Sequence, residues 1–441
     1  MSKNIELKAT QNSYYAASAN EQPAYSKLQA DIETDVCVVG GGFAGLSAAV
    51  ELADRGYQVV VLEAHHIGFG ASGRNGGQLI AGLACEQAVI ENALGFEAAK
   101  QVWAMTLEAL SLVRERVKRF DIKCDLADGF LGVAVGEAKG KSLRKWYDSM
   151  AKKYNYDSNA KWIEPAHLQD WIASQRYFNG YFDKNSGHLH PLNYCLGLAR
   201  GAFSLGVRIF QYSPVSGMRH GEKVILKTES GLVTAKFVVL AGNIFLPEIS
   251  PQLAPSLTKR IMPVGTYIIG TAPIDADLAT KLIPSNAAVC DTCVALDYFR
   301  FSAKKLNEGP RMIFGGRVSY STLTPAYLTE KMQARMAAVF PQLKDTKVDF
   351  TWGCFVDITM NRAPDFGRVA PNVYYLQGFS GHGVALTGLS GKLVAEAISG
   401  QAERLDVISR ISHHHFPGGK LLRTPTLVLG MAWYQLREKF G

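Results

Sequence analysis

Residues 36–64 read VCVVGGGFAGLSAAVELADRGYQVVVLEA, and this stretch decides the fold. Asp35-Val36-Cys37-Val38-Val39 is a short apolar run of the kind that forms a strand buried on both faces. Gly40-Gly41-Gly42-Phe43-Ala44-Gly45 follows, with the spacing G-x-G-x-x-G. Residues 46–53 are small and apolar, suit a helix, and end near Gly56; residues 58–62 read as a second buried strand closed by Glu63. A glycine turn between strand and helix, with an acidic residue at the end of the next strand, is the fingerprint of a βαβ unit that binds a dinucleotide. In that reading Gly40 permits the tight turn and Gly42 lets the backbone approach a pyrophosphate, whose charge sits at the helix N-terminus. Gly45 brings the helix close to the strand, Phe43 and Ala44 complete the turn, and Glu63, followed by Ala64, accepts hydrogen bonds from a ribose.

Outward from this unit, residues 66–78 read HIGFGASGRNGGQ. A dehydrogenase using only NAD would pass into the next helix. This loop offers backbone N–H groups and one arginine to a longer cofactor, which suits FAD, with Arg74, Asn75, Gly76, Gly77 and Gln78 as its candidate contacts. Apolar residues at helical spacing predict a long helix over 95–120, and a basic helix is expected over 137–154. Residues 206–226 read as short strands with a turn at His220-Gly221, and 234–240 as a buried strand ending in Ala241-Gly242-Asn243. From 260 to 320 the pattern is strand-like, and 326–340 is helical. A glycine-rich segment over 377–391 precedes a helix to about 399, and residues 1–31 are polar and read as an arm over the surface.

The chain has 441 residues, enough for two or three domains. Lys plus Arg number 47 and Asp plus Glu 39, giving a net charge of +8. That surplus is modest, and with no basic stripe interleaved with aromatics no nucleic-acid partner is expected. The 7 cysteines are odd in number and scattered, and read as reduced thiols of a cytoplasmic protein. The N-terminus lacks the apolar core of a secretory signal, and no stretch reaches the roughly 18 apolar residues of a spanning helix. No metal site is expected, because Cys290-x-x-Cys293 has no second pair and the adjacent His413, His414 and His415 do not share a face.

The nucleotide-binding stretch followed by GFGASGRNGGQ resembles the D-amino-acid oxidase-like superfamily of FAD enzymes, which includes glycine and sarcosine oxidases. More narrowly the chain resembles the gamma-glutamylputrescine oxidase group, through SYYAAS (13–18), ASGRNGGQ (71–78), SGHLHP (186–191), MPVGTY (262–267), DYFR (297–300), NRAPDFGR (361–368), QGFSGHGVALT (377–387) and FPGG (416–419). The resemblance implies an α/β fold: a Rossmann-like, doubly wound FAD-binding domain with a second α+β substrate domain on a large, mainly antiparallel sheet. The division expected is an arm over 1–31, FAD-binding segments 32–90, 186–245 and 346–404, substrate segments 91–185 and 246–345, and a C-terminal tail with a helix over 405–441. By the same resemblance Val215 presents its backbone to adenine and Ala241-Gly242-Asn243 line the cofactor. Gly381-His382-Gly383, running into Val384-Ala385-Leu386, would then lie beside the flavin ring.

Read from the residues themselves, the turn at 379–383 opens a helix whose dipole favours an anionic reduced flavin. Tyr298 and Arg300 are two apart and share one face of a strand, where an arginine facing the cofactor would clamp a carboxylate in bidentate fashion. These two and His382 are the candidate catalytic residues, with Arg317 as a further arginine. Sarcosine oxidases hold FAD through a cysteine in the region of Cys354, but the residues around Cys354 do not match theirs, so noncovalent FAD is expected. Their oxygen-activating lysine has no counterpart; Ile313 falls near its position.

The implied function is oxidative deamination of gamma-glutamylputrescine or a related amine to an aldehyde, ammonia and hydrogen peroxide, with oxygen or a quinone-linked carrier as acceptor. Two alternatives stay open: a dehydrogenase or oxidase of a cyclic imino acid such as L-pipecolate linked to the respiratory chain, and an FAD protein acting on tRNA. Residues 421–440 combine an apolar run with basic residues at 420, 423, 437 and 439. They read either as a helix packed on the body or as a peripheral membrane contact.

Overall fold

The structure, a computed structural model, describes residues 12–293, 295–303, 308–319 and 325–417. The side chain of Arg317 and the stretch 421–440 lie outside the described residues. Among the described residues no helix is long and apolar enough to cross a membrane.

The first sheet runs in the order Asp365–Ala370, Val373–Gln377, Leu232–Leu240, Ile32–Val39, Val59–Leu62, Arg208–Phe210. From Val373–Gln377 to Arg208–Phe210 all pairings are parallel, with Val36 opposite both Phe237 and Val59. Parallel strands need cover on both faces. Side-chain alternation sends Val36, Val38, Val59 and Val61 into a core shared with the helices Phe43–Asp54, Phe96–Arg119, Pro191–Ser204 and Gly383–Ile398. Cys37, Val39, Val60 and Leu62 enter a second core closed by Val224, Leu226 and Leu257. This is the doubly wound arrangement expected.

The second sheet runs Val348–Thr359, Ile261–Thr271, Met312–Ser319, Tyr298–Phe301, Ala288–Asp291, Ala127–Val135, Tyr177–His188, Gln78–Leu79. It is antiparallel except where Ala288–Asp291 lies beside Ala127–Val135. One face buries Ile269, Phe299 and Phe314 against Met332 and Met336 of the helix Leu328–Val339. The other sends Ile268, Ile313 and Trp352 into the core of the first sheet's helices, so the two layers meet there.

Four features depart from the sequence reading. The helix Phe96–Arg119 forms where expected, but it packs with the first sheet's helices, although the division drawn above puts it with the substrate segments. Its buried Arg116 explains the attachment, bonding Glu51 at 2.9 Å and Ser47 at 2.9 Å on the neighbouring helix. The strand Val348–Thr359 pairs along its length with Ile261–Thr271 in the second sheet, although it was counted among the cofactor segments. The helix Gly383–Ile398 starts inside the glycine-rich segment. Those glycines serve close packing: a Cβ on Gly391 would stand 2.4 Å from the backbone nitrogen of Ala48. Finally, the expected surface arm is partly interior. A short helix, Tyr14–Ala17, buries Tyr14 and Tyr15 against His190, Phe350 and Trp352.

Candidate active site

Where Ile32–Val39 ends, Gly40 has φ +116°, and a side chain there would meet the carbonyl of Ala241 at 2.6 Å. Gly42 is the N-cap of the helix Phe43–Asp54, and a Cβ on it would stand 2.8 Å from the Ser72 hydroxyl oxygen. That hydroxyl accepts the Phe43 N–H at 2.9 Å and so ties the turn to the loop after Glu63. The Glu63 carboxylate accepts from Gly41 N at 2.6 Å and His65 N at 2.8 Å. Burial pushes its pKa up, against the pull of those backbone donors.

A cleft opens along this turn, with about 1210 Å³ of atom-free space including its solvent-facing mouth. Of the residues singled out from sequence, Gly40, Gly42, Phe43, Ala44, Glu63, Ala64, Asn75, Val215, Ala241, Gly242, Asn243, Gly381, Gly383 and Val384 line it. Gly45, Ala385 and Leu386 lie in the packing behind it. Arg74, Gly76, Gly77 and Gln78 are off its wall, in the loop that leads to the second sheet, where Gln78 pairs with His188. The cleft's chemistry fits FAD. A helix N-terminus faces a turn that only glycine leaves open, and a carboxylate closes the next strand.

The second sheet supplies Phe355, Val356 and Asp357 to the cleft wall, while Tyr298, Arg300 and also His382 lie off it. Tyr298 is half-buried, its hydroxyl 2.8 Å from Thr266 Oγ1 and its ring against Gly76 and Gly315. Burial raises its pKa, so the phenol keeps its proton. Arg300 departs from expectation. It is 1 % exposed, and its guanidinium donates to Gly76 O at 2.8 Å, Phe301 O at 3.1 Å and Tyr15 Oη at 3.2 Å. It lies under the loop that carries Gly76 and holds that loop in place, so it is not open to a substrate carboxylate.

His382 is half-buried at the N-cap of Gly383–Ile398, with no side-chain capping bond. Burial, helped by the Arg362 charge, pushes its pKa down to about 4, so the ring is neutral near pH 7. Cys354 is buried on Val348–Thr359, opposite Thr266 and off the cleft wall. Acid precipitation is expected to leave the flavin in solution; flavin kept in the protein pellet would show a covalent bond, for which Cys354 would be the first residue to replace.

Several cleft residues escaped the sequence reading, among them Ser72, Ser213, Ser250, Thr387 and the buried acid Asp357. Asp357 is 2 % exposed, and its carboxylate accepts from the backbone of Gly378 and Phe379 and from the Asn243 amide. An acid among apolar residues of a strand, FVDIT, was the signal for it. Burial pushes it up to about 6, against the pull of those donors. A carboxyl raised on folding stabilises the fold fully below the ordinary carboxylate range, and that stability is lost as pH rises through about 6. Melting temperatures of wild type and Asp357→Asn should therefore converge or cross between about pH 4 and pH 7, the wild type losing ground as pH rises. Parallel curves would show that Asp357 ionises no differently in the folded chain.

Comparison with known proteins bears on the whole chain. A family model described as "DAO: FAD dependent oxidoreductase" matches residues 35–397. Gamma-glutamylputrescine oxidoreductase of Escherichia coli (strain K12) is 40% identical over 430 residues, 98% of this chain and 99% of that one. A probable oxidoreductase, OrdL, of Haemophilus influenzae is 38% identical over 431 residues, 97% of each chain. Among solved structures, L-proline dehydrogenase from P. horikoshii superposes with a TM-score of 0.70 at 22% identity, covering 86% of this chain and 98% of that one. Glycine oxidase from Geobacillus kaustophilus does so with a TM-score of 0.68 at 18% identity, covering 84% and 95%. At these identities the two structures speak for the fold alone.

Proposed function

Because this chain belongs to the DAO family of FAD-dependent oxidoreductases, enzymes that act on CH–NH or CH–NH2 donors, we propose that its donor is gamma-glutamylputrescine or a closely related amine. The products are an aldehyde, ammonia and, with oxygen as acceptor, hydrogen peroxide. The observation that carries this reading is the end-to-end likeness to the 40% identical relative, which spans the second sheet as well as the cleft.

FAD, when bound, supplies the hydride-accepting chemistry. The chain's own residues bind and orient. The turn Gly40–Gly45 with the helix behind it would hold the pyrophosphate, and Glu63 the ribose. The opening of Gly383–Ile398 would favour negative charge on the ring side. Tyr298, held by Thr266 off the cleft wall, would flank the donor as a protonated phenol. Tyr298, which keeps its proton, and His382, a weak base, are poor acceptors for a proton from an ammonium donor.

The test is peroxide release in air with gamma-glutamylputrescine, putrescine and L-pipecolate, run beside an artificial dye acceptor. Gamma-glutamylputrescine should give the highest kcat/KM, with peroxide formed in step with aldehyde. Preference for L-pipecolate would overturn the substrate assignment, and turnover with the dye alone would overturn oxygen as acceptor.

A further inference from the structure

We propose that the N-terminal segment 13–18 belongs to the frame of the active site, with Tyr15 as the positioning residue that fixes the loop 74–78. Tyr15 is fully buried although it lies close to the chain's start. Its ring packs edge-on against Trp352, centroids 5.2 Å apart, and against His190 at 4.8 Å. Its hydroxyl accepts from Arg300 at 3.2 Å. Both Trp352 and Arg300 then reach the same loop: Trp352 Nε1 donates to Arg74 O at 3.0 Å, and Arg300 Nε to Gly76 O at 2.8 Å. The carbonyls on either side of Asn75 are thus each held by a donor that rests on Tyr15.

Arg300 sharpens the dependence. Among the described residues no carboxylate lies within 4.0 Å of its guanidinium. A buried cation without a counter-ion persists only if its N–H groups are satisfied, and Tyr15 supplies one of the three oxygens that do so. Asn75 ties the loop internally, donating to Ala71 O at 2.9 Å and accepting from Gly77 N at 2.8 Å, and Leu189 N donates to Gly77 O at 2.9 Å, so the bonds that rest on Tyr15 are those to the carbonyls of Arg74 and Gly76. The loop's place matters on two sides, because Asn75 lines the cleft while Gly76 backs the ring of Tyr298. Loss of the support would shift the cofactor wall and the donor side together. The inference rests on the reading above, in which the cleft takes FAD and Tyr298 faces the donor.

The experiment is hydrogen exchange on the holoenzyme, comparing wild type, Tyr15→Phe, Tyr15→Leu and Tyr14→Phe, with kcat and KM for the best amine. Tyr15→Phe keeps the ring on Trp352 and removes only the acceptor. Amides of 74–78 should then exchange about three- to tenfold faster, while those of the helix Phe43–Asp54 stay unchanged. In the same variant kcat should fall several-fold with little change in KM. Tyr15→Leu should magnify both effects; if it does not fold, Tyr15→Phe decides. Tyr14→Phe, whose ring packs on Phe350 and His190, should leave the loop as in wild type. Unchanged loop exchange in Tyr15→Phe, or a rise spread evenly over the chain or shared by Tyr14→Phe, would overturn the proposal. A wrong cofactor reading would show separately, as a wild-type protein that carries no FAD.

Discussion

Gly42→Val is expected to yield a soluble, folded protein that no longer retains FAD. A Cβ at Gly42 already stands 2.8 Å from Ser72 Oγ, and the valine methyls would fill the space in front of the first helical turn. Ser72 can rotate away at the loss of its bond from Phe43 N–H, so the fold has a way to accept the substitution. A pyrophosphate has none, because its oxygens need the backbone N–H groups that the new side chain covers. Losing two charge-assisted hydrogen bonds costs about 3–6 kcal/mol, a loss of roughly 10²- to 10⁴-fold in affinity. Flavin absorbance per protein after gel filtration checks this, with circular dichroism to show the fold. A variant that elutes with a full complement of FAD would mean that this turn does not hold the cofactor.

Gly45→Val, three positions further on, is expected to fail at folding. A Cβ there would meet the Gly40 carbonyl oxygen at 2.0 Å and Val38 Cγ1 at 3.1 Å. Val38 belongs to the strand on which the helix packs and the Gly40 carbonyl is backbone in the turn that leaves it, so the closest contact cannot swing aside. The helix would have to lift off the sheet, opening a core that includes Val36, Val38 and Leu46. The cost exceeds the ~1–3 kcal/mol of ordinary overpacking. The soluble fraction after expression, and its melting temperature in the presence of added FAD, measure the effect. If Gly45→Val is soluble and as stable as Gly42→Val, the division of labour within the glycine turn is wrong.

The glycine turn was legible because its requirements are local. A strand, a tight turn and a helix N-terminus each leave a mark within a few residues, and Glu63 closes the unit at a set distance. The helix Phe96–Arg119 was legible through its period, but its partner was not, since the contact that settles it is Arg116 with Glu51. Arg300 shows the limit most clearly. The i, i+2 rule placed it correctly on the face of Tyr298, yet its role depends on Tyr15 and Gly76, which lie 285 and 224 positions away in the chain. Likewise the polar composition of 1–31 concealed the two tyrosines that enter the core, because a single buried side chain leaves no periodic trace.

The claim at the centre of this account is that an amine delivers its electrons to FAD held in the cleft. Anaerobic mixing of the purified yellow protein with gamma-glutamylputrescine tests it without regard to the acceptor. The flavin's visible absorbance should bleach fully and rapidly, and much more slowly with putrescine. A flavin that stays oxidised through excess gamma-glutamylputrescine, putrescine and L-pipecolate alike would contradict the account.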